Sequence, residues 1–464
     1  MFFAASIFFT LNGITFGSWA ARVPDIARQL QLTPASLGAA LFCISLGALA
    51  SMQVTGCLCA RFGSGRVGQV AVPLFAATLP LPALAGNLAE LSLALLVFGI
   101  ASGAANVAAN SLGVEVEARA KRPMMSSLHA VFSVGGLLGA TVGGLLAGFT
   151  PSTLHLSSIA GASLLACVWL TRVMDKVVGP AQERHAFHRR ARHAVHAGPA
   201  GPPRITVNLL PSDAGPTMPG GFSSHTAVIV ALGGIAACTA FAEGALGDWG
   251  ALHLRENLHA NPGLAAAGYA LFSLAMATGR VAGHRLVARL GDTRVLIGGT
   301  LLAAAGTLTA SFGATLPIAL SGFLMVGLGL ANVFPLAIGR AGMINGARGV
   351  GLAATVGYVG PLAGPPLIGL VAGEAGLRTA LSAVSVLVLA AAVLSVVVAV
   401  ETPSALSVAA RLRSRLTGLR QGLGQGLGLG QGLAARLSDT AHTVGAVSRE
   451  QATALLPNPK ESTP

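Results

Sequence analysis

Twelve apolar runs divide this chain, at 2–21, 35–59, 67–85, 91–114, 125–147 and 154–174, then at 227–247, 263–287, 295–314, 317–338, 350–372 and 377–400. Each is close to the span of about 20 residues that a helix needs to cross a bilayer. Lipid offers no partner to an open backbone group, so every run is expected to be helical. Pro73, Pro335, Pro361, Pro365 and Pro366 fall inside runs and are expected to kink helices packed against neighbours. The fold expected is all-α and polytopic, with twelve transmembrane helices. Charged residues make up only 10% of the chain, against about 25% in soluble domains. The 61 glycines suit close helix contact in lipid.

Charge gives an independent test of that topology. With both termini in the cytoplasm, only Arg22, Arg28, Arg255 and Arg378 lie on the outer side and Arg280 lies within a helix, leaving 24 of the 29 Lys and Arg inside. That asymmetry is what the positive-inside rule demands. It accounts for the net charge of +13 through topology and anionic headgroups, with no nucleic acid as partner. The first run lacks the basic n-region of a signal peptide.

An internal repeat orders the runs. FGSWAARVP at 16–24 is echoed by LGDWGALHL at 246–254, which aligns Trp19 with Trp249 at an offset of 230. GAALF at 38–42 matches GYALF at 268–272, ARFGSGRV at 60–67 matches ARLGDTRV at 288–295, and AANV at 104–107 matches LANV at 330–333. The expected organisation is a six-helix bundle at 1–174, a basic cytoplasmic linker at 175–222, a second six-helix bundle at 223–400 and a flexible basic cytoplasmic tail at 401–464. Repeats of this kind put a substrate site near the bilayer midplane between the halves.

The six-plus-six plan and the segment GCLCARFGSGRV at 56–67 resemble the major facilitator superfamily. Gly56, Leu58, Arg61, Gly63 and Arg66 fit that family's signature between the second and third helices, with a one-residue insertion. The resemblance makes Gly56, Arg61, Gly63 and Arg66 a cytoplasmic gate motif. Ala60 stands where the family has the acid that locks the outward-facing state. SWAARVP at 18, NVAANSLGVEVE at 106, RPMMSSLHAVFSVGG at 122, AEGALGDW at 242, MATGR at 276 and GYVGPLAGPPLIG at 357 are similar to a branch of bacterial inner-membrane carriers related to the rhizopine-associated membrane protein. Over 1–400 the resemblance matches Asn110, Glu117, His129, Glu243, Asp248, Trp249 and Arg280. Asn106 and His284 depart from it, standing where acids are expected.

Of the 16 acids, Glu243 alone falls clearly inside a run. A charge near the bilayer centre costs about 2.5–3.5 kcal/mol on insertion scales, and burial favours the protonated form of a carboxyl. Glu243 is therefore the candidate for proton coupling or substrate binding, weighed against a structural role across a packed interface. Asp248 is expected at a capped outer helix end with water access, where Trp19, Arg22 and Trp249 complete a periplasmic group and Trp249 suits an interfacial aromatic belt. Arg280 is the basic residue well inside a run. Depth counted from the helix ends separates it from Glu243 by about 15 Å at 1.5 Å per residue. It is thus expected to contact substrate or latch the cytoplasmic gate, not to pair with Glu243. His129 is a residue type that titrates near pH 6.5, with a structural role as the alternative. Asn12, Asn106, Asn110, Tyr269, Asn332 and Tyr358 are cavity-lining candidates of the kind that binds sugars and polyols, although any one of them also serves as helix–helix glue.

Glycines at 135, 139 and 143, and at 136, 144 and 148, form rows that permit close helix contact. The linker carries His185, His188, His193 and His196. Their HxxH spacing lacks acids or cysteines nearby, so no metal and no cofactor is expected. The five cysteines are read as small packing residues. Leucines at 412, 416 and 419 suggest an interfacial tail helix, followed by the low-complexity QGLGQGLGLGQGL.

Three function classes follow. The first is a secondary transporter of a small polar, sugar- or polyol-like solute, proton-coupled and working by alternating access. An efflux pump for amphipathic compounds is the second, and a non-transporting membrane receptor the third. No nucleophile–base set or phosphate loop marks an enzyme or a primary pump. Expected partners are the bilayer, a small solute and protons, in a monomer of the cytoplasmic membrane.

Overall fold

The computed structural model describes residues 2–120, 124–177 and 224–401, which belong to one compact unit, Met1–Glu401. The histidine-rich linker, the interfacial helix and the low-complexity tail lie outside the described residues. Fourteen α-helices follow one another among the described residues: α1 (Phe2–Gln29), α2 (Pro34–Phe62), α3 (Ser64–Thr78), α4 (Leu81–Leu84), α5 (Leu88–Ala120), α6 (Met125–Leu146), α7 (Ser152–Val177), α8 (Ser224–Asn257), α9 (Pro262–Leu290), α10 (Asp292–Phe312), α11 (Leu316–Leu330), α12 (Val333–Gly357), α13 (Val359–Ala375) and α14 (Leu377–Glu401). They make twelve stretches long and apolar enough to cross a membrane. The fold is all-α, as the apolar runs require, and the helices extend past most of those runs because amphipathic turns continue them at both ends.

Three spans are interrupted, among them the eleventh at Tyr358, which separates α12 from α13. Leu79 and Pro80 separate α3 from α4, and Ala331 and Asn332 separate α11 from α12. Within α12, Asn345 and Gly346 leave helical geometry, with Gly346 at φ +52°, and this break divides the tenth span from the eleventh.

The repeat is visible in how helices begin and end. α2 starts at Thr33–Pro34 and α9 at Asn261–Pro262. In each, the capping side chain accepts the backbone N–H three residues on, at 3.2 Å for Ser36 and 2.8 Å for Leu264. A polar cap followed by proline is a strong start signal because proline needs no N–H partner there. α2 ends at Gly63 (φ +91°) and α9 at Gly291 (φ +80°), a conformation that glycine adopts without strain. These two glycines align in the repeated ARFGSGRV and ARLGDTRV segments.

Because successive spans reverse direction, the start of α1, the end of α7, the start of α8 and the end of α14 share one face, termed here the linker face. The α1–α2 and α8–α9 turns share the opposite, far face. α1 packs on α6, α2 on α5, α8 on α12, and α10 on both α11 and α14; α6–α9 and α2–α13 join the early helices to the late ones. The glycine rows of α6 divide between two partners. Methyl groups at Gly135 and Gly139 would meet Thr10 O and Ile14 O of α1 at 2.3 Å. Gly136 instead faces Ser273 of α9, and Gly144 faces Gly263 and Ala266. Gly148 has open space around it and belongs to neither row.

Candidate functional site

A cavity of about 440 Å³ lies between the early and late helices, within the 300–1,000 Å³ range of small-molecule sites. α1, α5 and α6 bring Asn12, Asn106, Asn110, His129 and Ser133 to its wall; α8, α9 and the α12–α13 junction bring Glu243, Tyr269, Arg280 and Tyr358. Between these polar groups stand the rings of Phe9, Phe16, Phe75, Phe132, Phe272 and Phe334. Of the residues read from sequence as coupling or cavity candidates, only Asn332 is elsewhere. Its amide donates to Gly279 O at 2.9 Å and its oxygen fills the space beside Gly283. This corrects the expectation for Asn332: it ties α12 to α9 at the α11–α12 break.

Arg280 and Glu243 meet, contrary to the expected axial separation. Arg280 Nη2 lies 3.8 Å from Glu243 Oε1. Depth has to be counted from the turn that the two helices share. Glu243 is then about 21 Å below the end of α8 and Arg280 about 27 Å below the start of α9, at 1.5 Å per residue. Side chains lean toward the N-terminus of their helix, so on antiparallel helices these two lean toward each other across the remaining 6 Å or so. Counting from the linker-face ends failed because α8, at 34 residues, runs further from the shared turn than α9, at 29.

Arg280 is held from the other half as well. Its Nη1 donates to Ser133 Oγ at 2.7 Å and to His129 O at 3.2 Å, and Ser126 Oγ donates to Arg280 O at 3.0 Å. Among the described residues its Nε has no partner. The Arg280 side chain is 9% exposed and the Glu243 side chain 31%, so the acid presents the larger surface to the cavity. His129 contributes its carbonyl, and its ring stands edge-on to Phe9 at 5.2 Å. Asn12 is buried, and its Oδ1 has no partner among the described residues. Asn110 donates to Asn106 O at 2.9 Å and to Asn106 Oδ1. Ser133 carries no signal in the sequence; its role follows only from facing Arg280.

The far-face group departs from expectation. Trp19 and Trp249 are 1% and 0% exposed, so Trp249 does not belong to the interfacial belt expected for it. Both are enclosed by other helices, Trp19 against Phe98 with ring centroids 5.8 Å apart. Asp248 is 9% exposed and sits within α8, because the helix continues to Asn257; it is not a water-facing helix end. Arg22 is 1% exposed. It donates to His155 Nδ1, Thr150 O and Thr150 Oγ1 at 3.1 Å and to Asp25 Oδ2 at 3.0 Å. Asp25 also receives Arg28 at 3.2 Å and Arg255 at 2.7 Å. Three of the four arginines that violate the charge asymmetry thus converge on one carboxylate. Asp25 and Arg255 are 230 apart, the repeat offset itself, so equivalent positions of the two halves meet near their pseudo-two-fold axis. The offset was the signal that could have revealed this pair.

Further cross-contacts close the far face. Gly38 lies against Gly369, and Gly144 against Gly263. At mid-depth Ser45 Oγ donates to Pro361 O at 2.7 Å. At the linker face, Gly63 makes the α2–α3 turn, Arg61 stacks over the Phe62 ring at 5.2 Å, and Gly56 has open space around it. Next to Gly63, Ser64 Oγ donates to Glu115 at 2.8 Å; Arg66 follows within the first turn of α3. In the second half Arg340 binds Asp292 at 2.7 Å and also Thr293.

Known proteins carry the same plan. The family model described as Major Facilitator Superfamily matches residues 1–211 and 232–433. An uncharacterized MFS-type transporter of Yersinia pestis is 33% identical over 387 residues, spanning 83% of this chain and 92% of the relative. The membrane protein MosC of Rhizobium meliloti is 27% identical over 381 residues, spanning 82% and 85%. Among solved structures, a point mutant of the nucleoside transporter NupG superposes with a TM-score of 0.60 at 13% identity, over 86% of this chain and 99% of that one. A bacterial homologue of the human lysosomal transporter Spinster, inward-facing and unoccupied, gives 0.59 at 16% identity, over 86% and 96%. Twelve spans in a repeated six-helix plan, enclosing a central polar cavity, therefore agree with the sequence matches: the chain belongs to the major facilitator superfamily of membrane transporters.

Proposed function

We propose that this protein is a secondary carrier of a small polar, sugar- or polyol-like solute, coupled to protons and working by alternating access. The observation that carries this reading is the Glu243–Arg280 pair on the cavity wall. Its charges cancel, so a neutral solute meets no net charge. Arg280 Nε and Asn12 Oδ1 are buried and without a partner among the described residues, a donor and an acceptor that a turn of either side chain would present to a hydroxylated solute. Glu243 is the coupling acid: taking a proton there releases Arg280 from its counter-charge and frees it to bind solute. Asn106, Asn110, Tyr269 and Tyr358 serve as cavity wall, and His129 holds Arg280 through its carbonyl. Six-helix halves at 1–174 and 223–400, joined by a cytoplasmic linker, move as the rocking bodies. The charge asymmetry supports a cytoplasmic linker face with both termini inside. The closed far face then corresponds to an inward-facing monomer.

The phenylalanine-lined wall favours a second reading, efflux of amphipathic compounds. A thermal-shift screen of purified protein at pH 5.5 and 7.5 separates the two. Panels cover sugars and polyols against amphipathic cations and antibiotics; a ligand at 100 times its Kd stabilises by about 2.7 kcal/mol. A sugar or polyol hit that weakens in Glu243→Gln and Arg280→Ala, followed by uptake that a protonophore abolishes, is the expected result. Stabilisation by amphipathic compounds alone would replace the first reading with the second.

A further inference from the structure

Along α5 the cavity wall is made by Ser102, Asn106, Ala109 and Asn110, which share one helix face at intervals of three and four residues. Asn106 is exposed and Asn110 half-buried. The Asn110 amide donates to Asn106 O at 2.9 Å and to Asn106 Oδ1, and these two bonds fix which end of each amide points where. A backbone carbonyl only accepts, so Asn110 turns its nitrogen, with both N–H groups, toward Asn106. That nitrogen only donates, so Asn106 turns its oxygen toward Asn110. The reversed orientations would set acceptor against acceptor or donor against donor.

Two edges remain. Asn106 Nδ2 keeps its N–H donors and Asn110 Oδ1 its lone pairs, and neither atom has a partner among the described residues. On a helix facing lipid or water, an amide pair four residues apart is local support and nothing more. Here both residues stand on the wall of the cavity. Because the amides touch, the free donor and the free acceptor are neighbours of fixed polarity, the acceptor one turn nearer the linker face.

The opposite wall carries the Glu243–Arg280 pair. A charged group on the solute would not suit the α5 edges. A carboxylate only accepts, which leaves Asn110 Oδ1 unpaired, and an ammonium only donates, which leaves Asn106 Nδ2 unpaired. A hydroxyl does both, and hydroxyls on adjacent carbons offer one to each edge.

We propose that Asn106 and Asn110 form a subsite that reads two adjacent hydroxyl groups of the solute. One hydroxyl accepts from Asn106 Nδ2 and its neighbour donates to Asn110 Oδ1, while the rest of the solute extends toward Arg280 and Glu243. The inference rests on the hydroxylated-solute reading and narrows it to a vicinal diol held in one orientation. Asn106 and Asn110 are then specificity-determining residues of the first half, as Glu243 and Arg280 supply the charges of the second.

The test titrates the full chain, purified in detergent, with D-glucose, D-ribose, xylitol and myo-inositol and with their monodeoxy forms, reading affinity by calorimetry. On the unmodified chain, removing either of the adjacent hydroxyls from a binding compound is expected to weaken it about tenfold, because one amide edge is left unpaired. Asn106→Ala is expected to weaken the parent compound about tenfold and to abolish the deficit of one monodeoxy form while keeping that of the other. Asn110→Ala is expected to do the reverse. Asparagines that only support the helix would weaken parent and monodeoxy forms alike, so deficits that both variants leave in place would overturn the proposal. Monodeoxy forms that all match their parents on the unmodified chain would overturn it too, and in both cases the hydroxylated-solute reading stands. An unmodified chain that binds no compound of the panel overturns both together. If one variant does not run as a monodisperse species, the other carries the same comparison for its own hydroxyl.

Discussion

The two halves repeat one helical plan and distribute their polar chemistry differently. At the offset that aligns Trp19 with Trp249, Glu243 corresponds to Gly13, and the positions that correspond to Arg280 are Ala50, Ser51 and Met52. Gly13 is pressed against α6, where a methyl group would meet Phe132 O at 2.1 Å. At cavity depth, then, α1 makes a backbone contact where α8 presents a carboxylate. The linker face repeats the contrast in milder form: a serine–carboxylate hydrogen bond, Ser64–Glu115, stands in the first half where an ion pair, Asp292–Arg340, stands in the second. A duplicated fold is held by packing positions and turn glycines. Charge is free to diverge wherever the facing helix supplies a partner.

Removing the charge from the second half should have the largest effect. Arg280→Ala is expected to lower proteoliposome uptake by about 100-fold or more, since it removes the cavity's cation and leaves Glu243 uncompensated. The double variant Glu243→Gln with Arg280→Gln, which makes the second half as neutral as the first, is expected to fold and still not transport. Near-normal uptake by the double variant would reduce the pair to a structural contact. Next, Gly13→Leu should cost about 3 kcal/mol through overpacking against α6, read as a lowered melting temperature and loss of the monodisperse peak. Unchanged melting would remove the close-contact half of the comparison.

The turns provide a case where the halves should agree. Gly63→Ala and Gly291→Ala each force a side chain into positive-φ backbone and are expected to cost about 1–2 kcal/mol, by similar amounts. Clearly unequal melting shifts would show that the two turns are not equivalent. Smallest is the difference between the linker-face contacts. Arg340→Gln should destabilise by about 1 kcal/mol, a partly exposed charged contact, and Ser64→Ala by about half that. The reverse order in thermal melts would contradict the assignment of the stronger contact to the second half.

How much of this was legible beforehand differs by kind of residue. Glu243 and Arg280 stood out because a charge in an apolar run is rare in itself. Their pairing did not, because depth counted along one helix has no common origin with depth counted along another. Trp249 looked interfacial because it sits near the end of an apolar run; the helix continues to Asn257, and other helices bury the ring. Asn332 carried the same signal as Asn12 and Asn106, and only the break between α11 and α12 turns its amide away from the cavity.

The sequence by itself determined twelve spans, their charge asymmetry, the 230-residue repeat and the family, since span length, charge count and offset are properties of one dimension. Tertiary structure alone decided that Arg280 meets Glu243 and Ser133, that Asp25 gathers three arginines, and that two adjacent glycine rows of α6 serve different neighbours. Those outcomes depend on which faces of separate helices are brought together, and an apolar pattern that is hydrophobic nearly all round does not say which face turns inward.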